Sequence, residues 1–284
     1  MPVIFKCKSN EAYCIKILAE LLSNNIKTGC FVLDDTGISL RMMDHHRSIL
    51  IDLMLNANNF QMYKFNSKRI YIGINLNHFH KMCKSIKKKD SIELFIDEDA
   101  PTDLGIKVIP KENNRVTTSY VKIQNVQNLD INIPTGYNKP IIVSSSEYQK
   151  LVKEMSSIGT TLKVLSKNYS IEFSCNAGGI LKRTVQFGEL DDHDDGDVAE
   201  SGGGGSGTSS STKENAEYEQ EFVTDQLCRI TKLSGLSSNM QIFPGKPLLF
   251  SSSVGSLGKI CIYIKSKEQI DSENYTVDSD CESD

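Results

Sequence analysis

The sequence predicts an α+β protein of two similar domains, each an antiparallel sheet with two helices laid on one face. Three observations carry this. Short runs across most of the 284 residues alternate apolar and polar side chains, the period of a half-buried strand. Four other segments place apolar residues on one stripe of a helix. The order helix, strands, helix, strands then occurs twice, Asn10–Leu22 answering to Ser146–Ile158 and Asn77–Ile86 to Thr224–Leu233.

The clearest strands lie in Phe31 to Leu55, FVLDDTGISLRMMDHHRSILIDLML. Asp34-Asp35-Thr36-Gly37 suits a turn, because Asp bonds the local backbone and Gly tolerates a positive φ. Ile38, Leu40 and Met42 then alternate with Ser39, Arg41 and Met43. His45, His46 and Arg47 make a polar corner, and Ile49, Ile51, Leu53 and Leu55 resume the alternation.

The first helix spans about Glu11 to Leu22, with Ile15, Leu18 and Leu22 on one side. The second follows Asn77, its stripe being Phe79, Met82, Cys83 and Ile86. The third opens on Ser144 and Glu147, spaced as a capping box, and carries Tyr148, Leu151, Val152 and Met155 inward. The fourth, after Thr224 or Asp225, turns Leu227 and Ile230 inward. Further strands are expected at 70–74, 92–96, 104–109, 116–123, 162–165, 171–175, 180–187, 240–243, 247–250 and 259–264.

Composition sets the boundaries. Residues 1–125 form the first domain and 141–265 the second. Between them 126–140 is VQNLDINIPTGYNKP, where Pro134, Gly136 and Pro140 disfavour regular structure, so it is expected as an extended connector. Leu129, Ile131 and Ile133 are spaced by two, so one side of it should pack on something. Residues 189–221 are acidic and Gly/Ser-rich, an expected disordered insertion, and 266–284 an expected disordered acidic tail.

Charge is divided unevenly. Of 32 basic and 36 acidic residues, two basic and 18 acidic ones fall in the insertion and tail, so the rest carries a balance of +12. A basic body suits a phosphate-binding surface. Lysine and arginine recur on the outer faces of all four helices, without interleaved aromatics to stack single-stranded bases. Sequence-independent contact with duplex phosphates is the reading that survives.

Other classes find no support. No apolar run approaches the roughly 18 residues of a membrane span. The start, MPVIFKCKSN, lacks a signal-peptide pattern, which predicts a soluble intracellular protein. Eight cysteines stand singly with no C-x-x-C pair, which argues against a zinc site and a disulfide framework. Asp191 to Asp197 is acid-rich but does not match a calcium-binding EF-hand loop. There is no phosphate-binding glycine loop, no G-x-S-x-G and no cysteine–histidine pattern. No catalytic residue, metal or cofactor is therefore assigned.

The run from Gly37 through Leu40 to Met43-Asp44 and Leu50 resembles the signature region of the DNA sliding clamp family, that of proliferating cell nuclear antigen (PCNA). Ile72-Gly73-Ile74-Asn75-Leu76, Ile133-Pro134, Ile171-Glu172-Phe173-Ser174 and Thr231-Lys232 add to it in family order. The resemblance implies a ring of three chains and six domains, helices lining the hole and sheets outside. It implies a processivity factor that holds DNA polymerase on duplex DNA, is opened by a clamp loader, and acts in the nucleus or a viral replication compartment. Carried over by position, it puts Lys16, Lys81, Lys84, Lys150, Lys153 and Lys232 against DNA; Arg229 is basic there without a family counterpart. A pocket for client peptides matches Met43, Arg47, Leu129, Ile131, Ile133, Pro247 and Tyr263. Subunit contacts fall on 116–123, with Val116, Tyr120 and Ile123, and on 178–185, with Gly178, Leu181 and Val185. Arg47 stands where the family commonly has histidine, and Tyr263-Ile264-Lys265 replaces its Ala-Pro-Lys/Arg, so the pocket rim is altered. A subunit of a heterotrimeric checkpoint-type clamp, or a clamp-like scaffold that does not encircle DNA, are the alternative readings.

Overall fold

In the computed structural model the described residues are 2–112, 115–167, 169–188 and 218–279. The first half runs β1 (Val3–Ser9), α1 (Ala12–Ser23), β2 (Thr28–Asp34), β3 (Gly37–Met43), β4 (Ile49–Asn56), β5 (Met62–Phe65), β6 (Ile70–Asn75), α2 (Leu76–Cys83), β7 (Ser91–Asp97), β8 (Asp103–Ile109) and β9 (Thr117–Gln124). The second runs β10 (Ile141–Ser144), α3 (Ser145–Ser156), β11 (Thr161–Lys167), β12 (Ser170–Ala177), β13 (Leu181–Gly188), β14 (Tyr218–Val223), α4 (Thr224–Arg229), β15 (Asn239–Phe243), β16 (Leu248–Val254) and β17 (Gly258–Ile264). A last helix, α5, spans Lys267–Ser279.

Thirteen strands form one sheet in the order β10-β15-β16-β17-β4-β3-β2-β6-β9-β8-β7-β1-β5, and β13-β12-β11-β14 form a second. The halves are fused where β17 runs antiparallel to β4, from Gly258 opposite Leu55 to Ile264 opposite Ile49. Gly37 supplies the expected turn, with a φ of 146° at which a side chain would collide with the Leu55 carbonyl.

Helices α1 to α4 make one layer on one side of the sheets. Ile15, Leu18, Leu22, Phe79, Cys83, Leu151, Val152 and Met155 are all buried in the core they share with Ile49, Ile51, Leu53 and Leu55. A 3-10 segment, Thr231–Gly235, continues α4. Its Gly235 lets the second half close on α1, because an added Cβ there would lie 3.0 Å from Ile17.

Several expectations need correction. The capping box does not form: Ser144 Oγ lies 3.0 Å from Ser146 Oγ, and the Glu147 carboxylate is drawn to Lys150 at 2.7 Å. Strands β1, β5, β10 and β14 were not expected; in β1, Phe5, Cys7 and Ser9 are the buried positions. Gly178 is not in an edge strand but in the β12–β13 turn, at φ 59°. The end of the expected insertion, 218–221, is strand paired to β11, while 189–217 lies outside the described residues. The tail begins as α5 instead of disordered chain. Its start is a real capping box: Gln269 N donates to Ser266 Oγ (3.3 Å) and Ser266 N to Gln269 Oε1 (3.1 Å).

Asp44 ties the corner after β3 together. Its buried carboxylate accepts from Ser48 N (2.8 Å) and Ile49 N (2.9 Å), and from Arg229 of α4 at 3.3 Å. Asp44→Ala removes a buried acceptor of two backbone donors and one cation, and should lower stability by about 2–4 kcal/mol in chemical denaturation. A loss under 0.5 kcal/mol would show that the corner holds without it.

Candidate functional sites

The helical face carries the expected cations unequally. Lys16 Nζ donates to the carbonyls of Lys84 (2.8 Å) and Ile86 (3.0 Å), closing the end of α2 where helical carbonyls lack partners. Lys232 pairs with Glu20 at 2.8 Å and Lys150 with Glu147. Arg229 is held by Asp225 (2.7 Å) and the buried Asp44, so it braces the two halves and is a poor phosphate ligand. Lys81, Lys84 and Lys153 are exposed with no carboxylate partner among the described residues. His80 lies among them; burial holds its pKa below the ordinary imidazole value, Glu20 opposes this, and Lys84, Lys16 and Lys232 add to it.

The opposite side of the sheet holds a smaller apolar cluster. Leu50, Leu249 and Tyr263 are buried there, with Met43, Ile131, Ile133, Tyr137, Phe243 and Cys261 packed against them. Leu50 reaches it because β4 alternates, sending Ile49 and Ile51 the other way. Tyr137 fixes the connector: its hydroxyl donates to the Pro247 carbonyl at 2.7 Å, and its ring meets Phe243 and Tyr263. Burial pushes the Tyr263 phenol up to about 12.

So the structure gathers Met43, Ile131, Ile133 and Tyr263 around one cluster, with Pro247 joined through Tyr137. Arg47 stands exposed on the corner, at φ 54°. Leu129 departs from expectation: it is 61% exposed and lies beyond the cluster, near the Arg41–Asp52 pair. Beside it Arg41 donates to the Ile131 carbonyl at 3.4 Å. Sequence reasoning missed Tyr137, Phe243 and Leu249; the one aromatic of the connector, beside Gly136, was the available signal.

Helix α5 stands beside this cluster. Lys246, next to Pro247, pairs with Glu268 at 2.9 Å, and Lys265, two residues past Tyr263, with Glu273 at 2.6 Å.

Two strand edges fall where subunit contacts were expected. β9 is bonded along its length to β8 but to β6 only at Ile123 and Gln124, leaving its first part open. Among the described residues β13 pairs with β12 alone. Val116 and Tyr120 are exposed at the first edge and Ile180 and Leu181 at the second, while Ile123 and Val185 are half-buried. Bare edges flanked by apolar side chains invite pairing with another chain. Among the described residues no carboxylate, histidine and cysteine group is disposed to hold a metal, and Asp191–Asp197 lies outside them. Burial pushes the Cys7, Cys14 and Cys83 thiols up to about 12, which leaves them unreactive.

Residues 4–132 match the family model described as proliferating cell nuclear antigen, N-terminal domain. The chain is 22% identical over 262 residues to a probable DNA polymerase sliding clamp of Paramecium bursaria Chlorella virus 1, covering 91% of this chain and 95% of that one. It is 23% identical over 275 residues to the proliferating cell nuclear antigen of Chaetomium thermophilum, covering 93% and 98%. The crystal structure of the Entamoeba histolytica proliferating cellular nuclear antigen superposes with a TM-score of 0.77 at 18% identity, over 93% of this chain and 99% of that one.

Lys246 holds Glu268 below the usual carboxylate range. A depressed carboxylate adds stability above its unfolded pKa and loses it as pH falls through the lower folded value. Docking of α5 should therefore be intact at neutral pH and weaken below about pH 4. Amide hydrogen exchange of 267–273, compared with β17 between pH 7 and 3 and allowing for intrinsic rates, measures this; equal change in both would assign the helix to other contacts.

Proposed function

We propose, for a chain that is a divergent member of the PCNA family of DNA sliding clamps, that it closes with two further copies into a ring around duplex DNA. There it acts as a processivity factor for DNA polymerase and a docking platform for other client proteins. The observation that carries this is the pairing of two bare edges, β9 and β13, with a helical layer whose unpaired lysines share one side. One chain offers both halves of a joint, which favours a homotrimer over a heterotrimeric checkpoint clamp and over a scaffold that never encircles DNA. A clamp loader would open the ring, and the site of action would be the nucleus or a viral replication compartment. Family members work as scaffolds without catalysis, and no group in the described residues is given a catalytic role.

Lys81, Lys84 and Lys153 should touch phosphates and not bases, with Lys16, Lys150 and Lys232 contributing after release from their partners. Replacing the first three by alanine should reduce the salt slope of duplex binding by about 2.7, at 0.9 per lost phosphate contact, and leave sequence preference flat. Unchanged slope and unchanged polymerase processivity would remove the helices from the DNA-facing surface.

Client peptides should dock with apolar anchors against Met43, Ile131, Ile133 and Tyr263, beneath Arg47. Each fully buried anchor is worth roughly 1.5–3 kcal/mol. Ile133→Ser should weaken a clamp-binding peptide at least tenfold, about 1.4 kcal/mol, without altering subunit association. Equal affinities by calorimetry would sink the pocket assignment.

A further inference from the structure

A second basic feature lies away from the helical face. Lys8 at the end of β1, Lys89 before β7 and Lys111 after β8 line a groove of about 610 Å³ with Asn10, Ser91, Ile109 and Pro110. Two of the acids nearby are engaged elsewhere. The buried Asp90 accepts from Lys87 N at 2.8 Å, which fixes the turn that displays Lys87 to Lys89. Glu93 pairs with Lys6 at 2.8 Å. Glu112, next to Lys111, is exposed, and Lys88 lies 5.9 Å from the Tyr13 ring.

The duplication in the fold says what meets this groove in a ring. β4 is the third strand after α1 and β13 the third after the equivalent α3; β9 and β17 each close a half. The observed β17–β4 joint therefore has one counterpart between chains, β9 against β13 of the partner subunit. Its sense is antiparallel, as Gly258 opposite Leu55 shows within the chain. The start of β9, Thr117, then faces the end of the neighbouring β13, Gly188 of the partner subunit. Thr117 is paired to Val108, one residue from Ile109 and three from Lys111. Immediately after Gly188 the sequence reads ELDDHDDGD.

We propose that this groove receives the acidic stretch Asp191–Asp197 of the partner subunit, an electrostatic clasp across each joint of the ring; it rests on the ring reading above. Reach allows it. The groove spans the ends of β8, β7 and β1, two to four strand spacings or roughly 10–20 Å from the neighbouring β13. An extended chain covers about 3.3–3.6 Å per residue, so residues three to seven past Gly188 reach about 10–24 Å. Five aspartates in seven positions meet lysines from three elements.

Sedimentation of the full chain at 50 and 500 mM NaCl tests this. Lys8→Glu, Lys89→Glu and Lys111→Glu together, or Asp191→Lys, Asp192→Lys, Asp194→Lys and Asp195→Lys together, should each raise the subunit dissociation constant at least tenfold at low salt. The effect should shrink at high salt, where the Debye length is shorter. Combining the two sets should bring the constant back to within about threefold of wild type. Unfolding midpoints of each variant separate lost association from lost folding. A trimeric wild type with unaffected single sets, or sets whose losses simply add, would overturn the clasp alone. A lysine set that weakens duplex binding but not association would also overturn it and assign the groove to phosphates. A wild type that never self-associates would remove the ring itself.

Discussion

Everything in this molecule depends on the antiparallel pairing of β17 with β4. Either strand alone would leave a sheet edge open in the middle of the protein, with unpaired backbone donors and acceptors. Paired, they make two half-sized domains share one thirteen-stranded sheet. Both faces of that joint are then buried. On one side Ile51 and Ile262 meet the helices; on the other Leu50 and Tyr263 meet the connector. The helical layer and the connector cluster are thus two sides of one seam, and a change in its register would move both.

The seam also explains how charge is arranged. Strands carry their side chains alternately up and down, so a basic helical face and an apolar pocket can be built from the same segment. Asp44 sits where they meet, bonding its own loop and reaching Arg229. Burying that carboxylate is tolerable because four donors replace its water, Ser48 N, Ser48 Oγ, Ile49 N and Arg229. Arg229 is consequently fixed by geometry in a structural role. The remaining helix lysines are mixed with glutamates, several of them paired at exposed sites where such pairs are worth little. A surface of weak, exchangeable contacts suits a protein that must move along a phosphate backbone and not grip it.

The pocket differs from what the resemblance implied chiefly at its border. Leu129 lies outside the cluster, Tyr137 within it, and α5 with Glu268 and Glu273 occupies the lysines beside Pro247 and Tyr263. The border of the cluster is thus ion-paired on that side, Lys246 with Glu268 and Lys265 with Glu273, while Arg47 stands exposed at the corner after β3.

Much of this was legible in the sequence. Period-two alternation located most strands, helical stripes located four helices, and the repeated order gave two similar halves. These signals are local, since they depend only on which side of a segment is apolar. The lysines of the helical face were equally legible as a pattern. The sequence could not say which of them are engaged, because Glu20, Asp44 and the α2 carbonyls come from other elements. It could not say that Ile131 and Ile133 pack while Leu129, two residues earlier with the same period, does not; the cluster they meet, Leu50, Leu249 and Tyr263, comes from other strands. Nor could it show that the capping box at Ser144 fails while the one at Ser266 forms, for Ser146 and Lys150 compete at the first. Periodicity and composition by themselves determined most of the elements and their faces, but not β1, β5, β10, β14 or α5. Which faces meet, and which charges remain free, was decided only by tertiary structure, because those depend on partners distant in sequence.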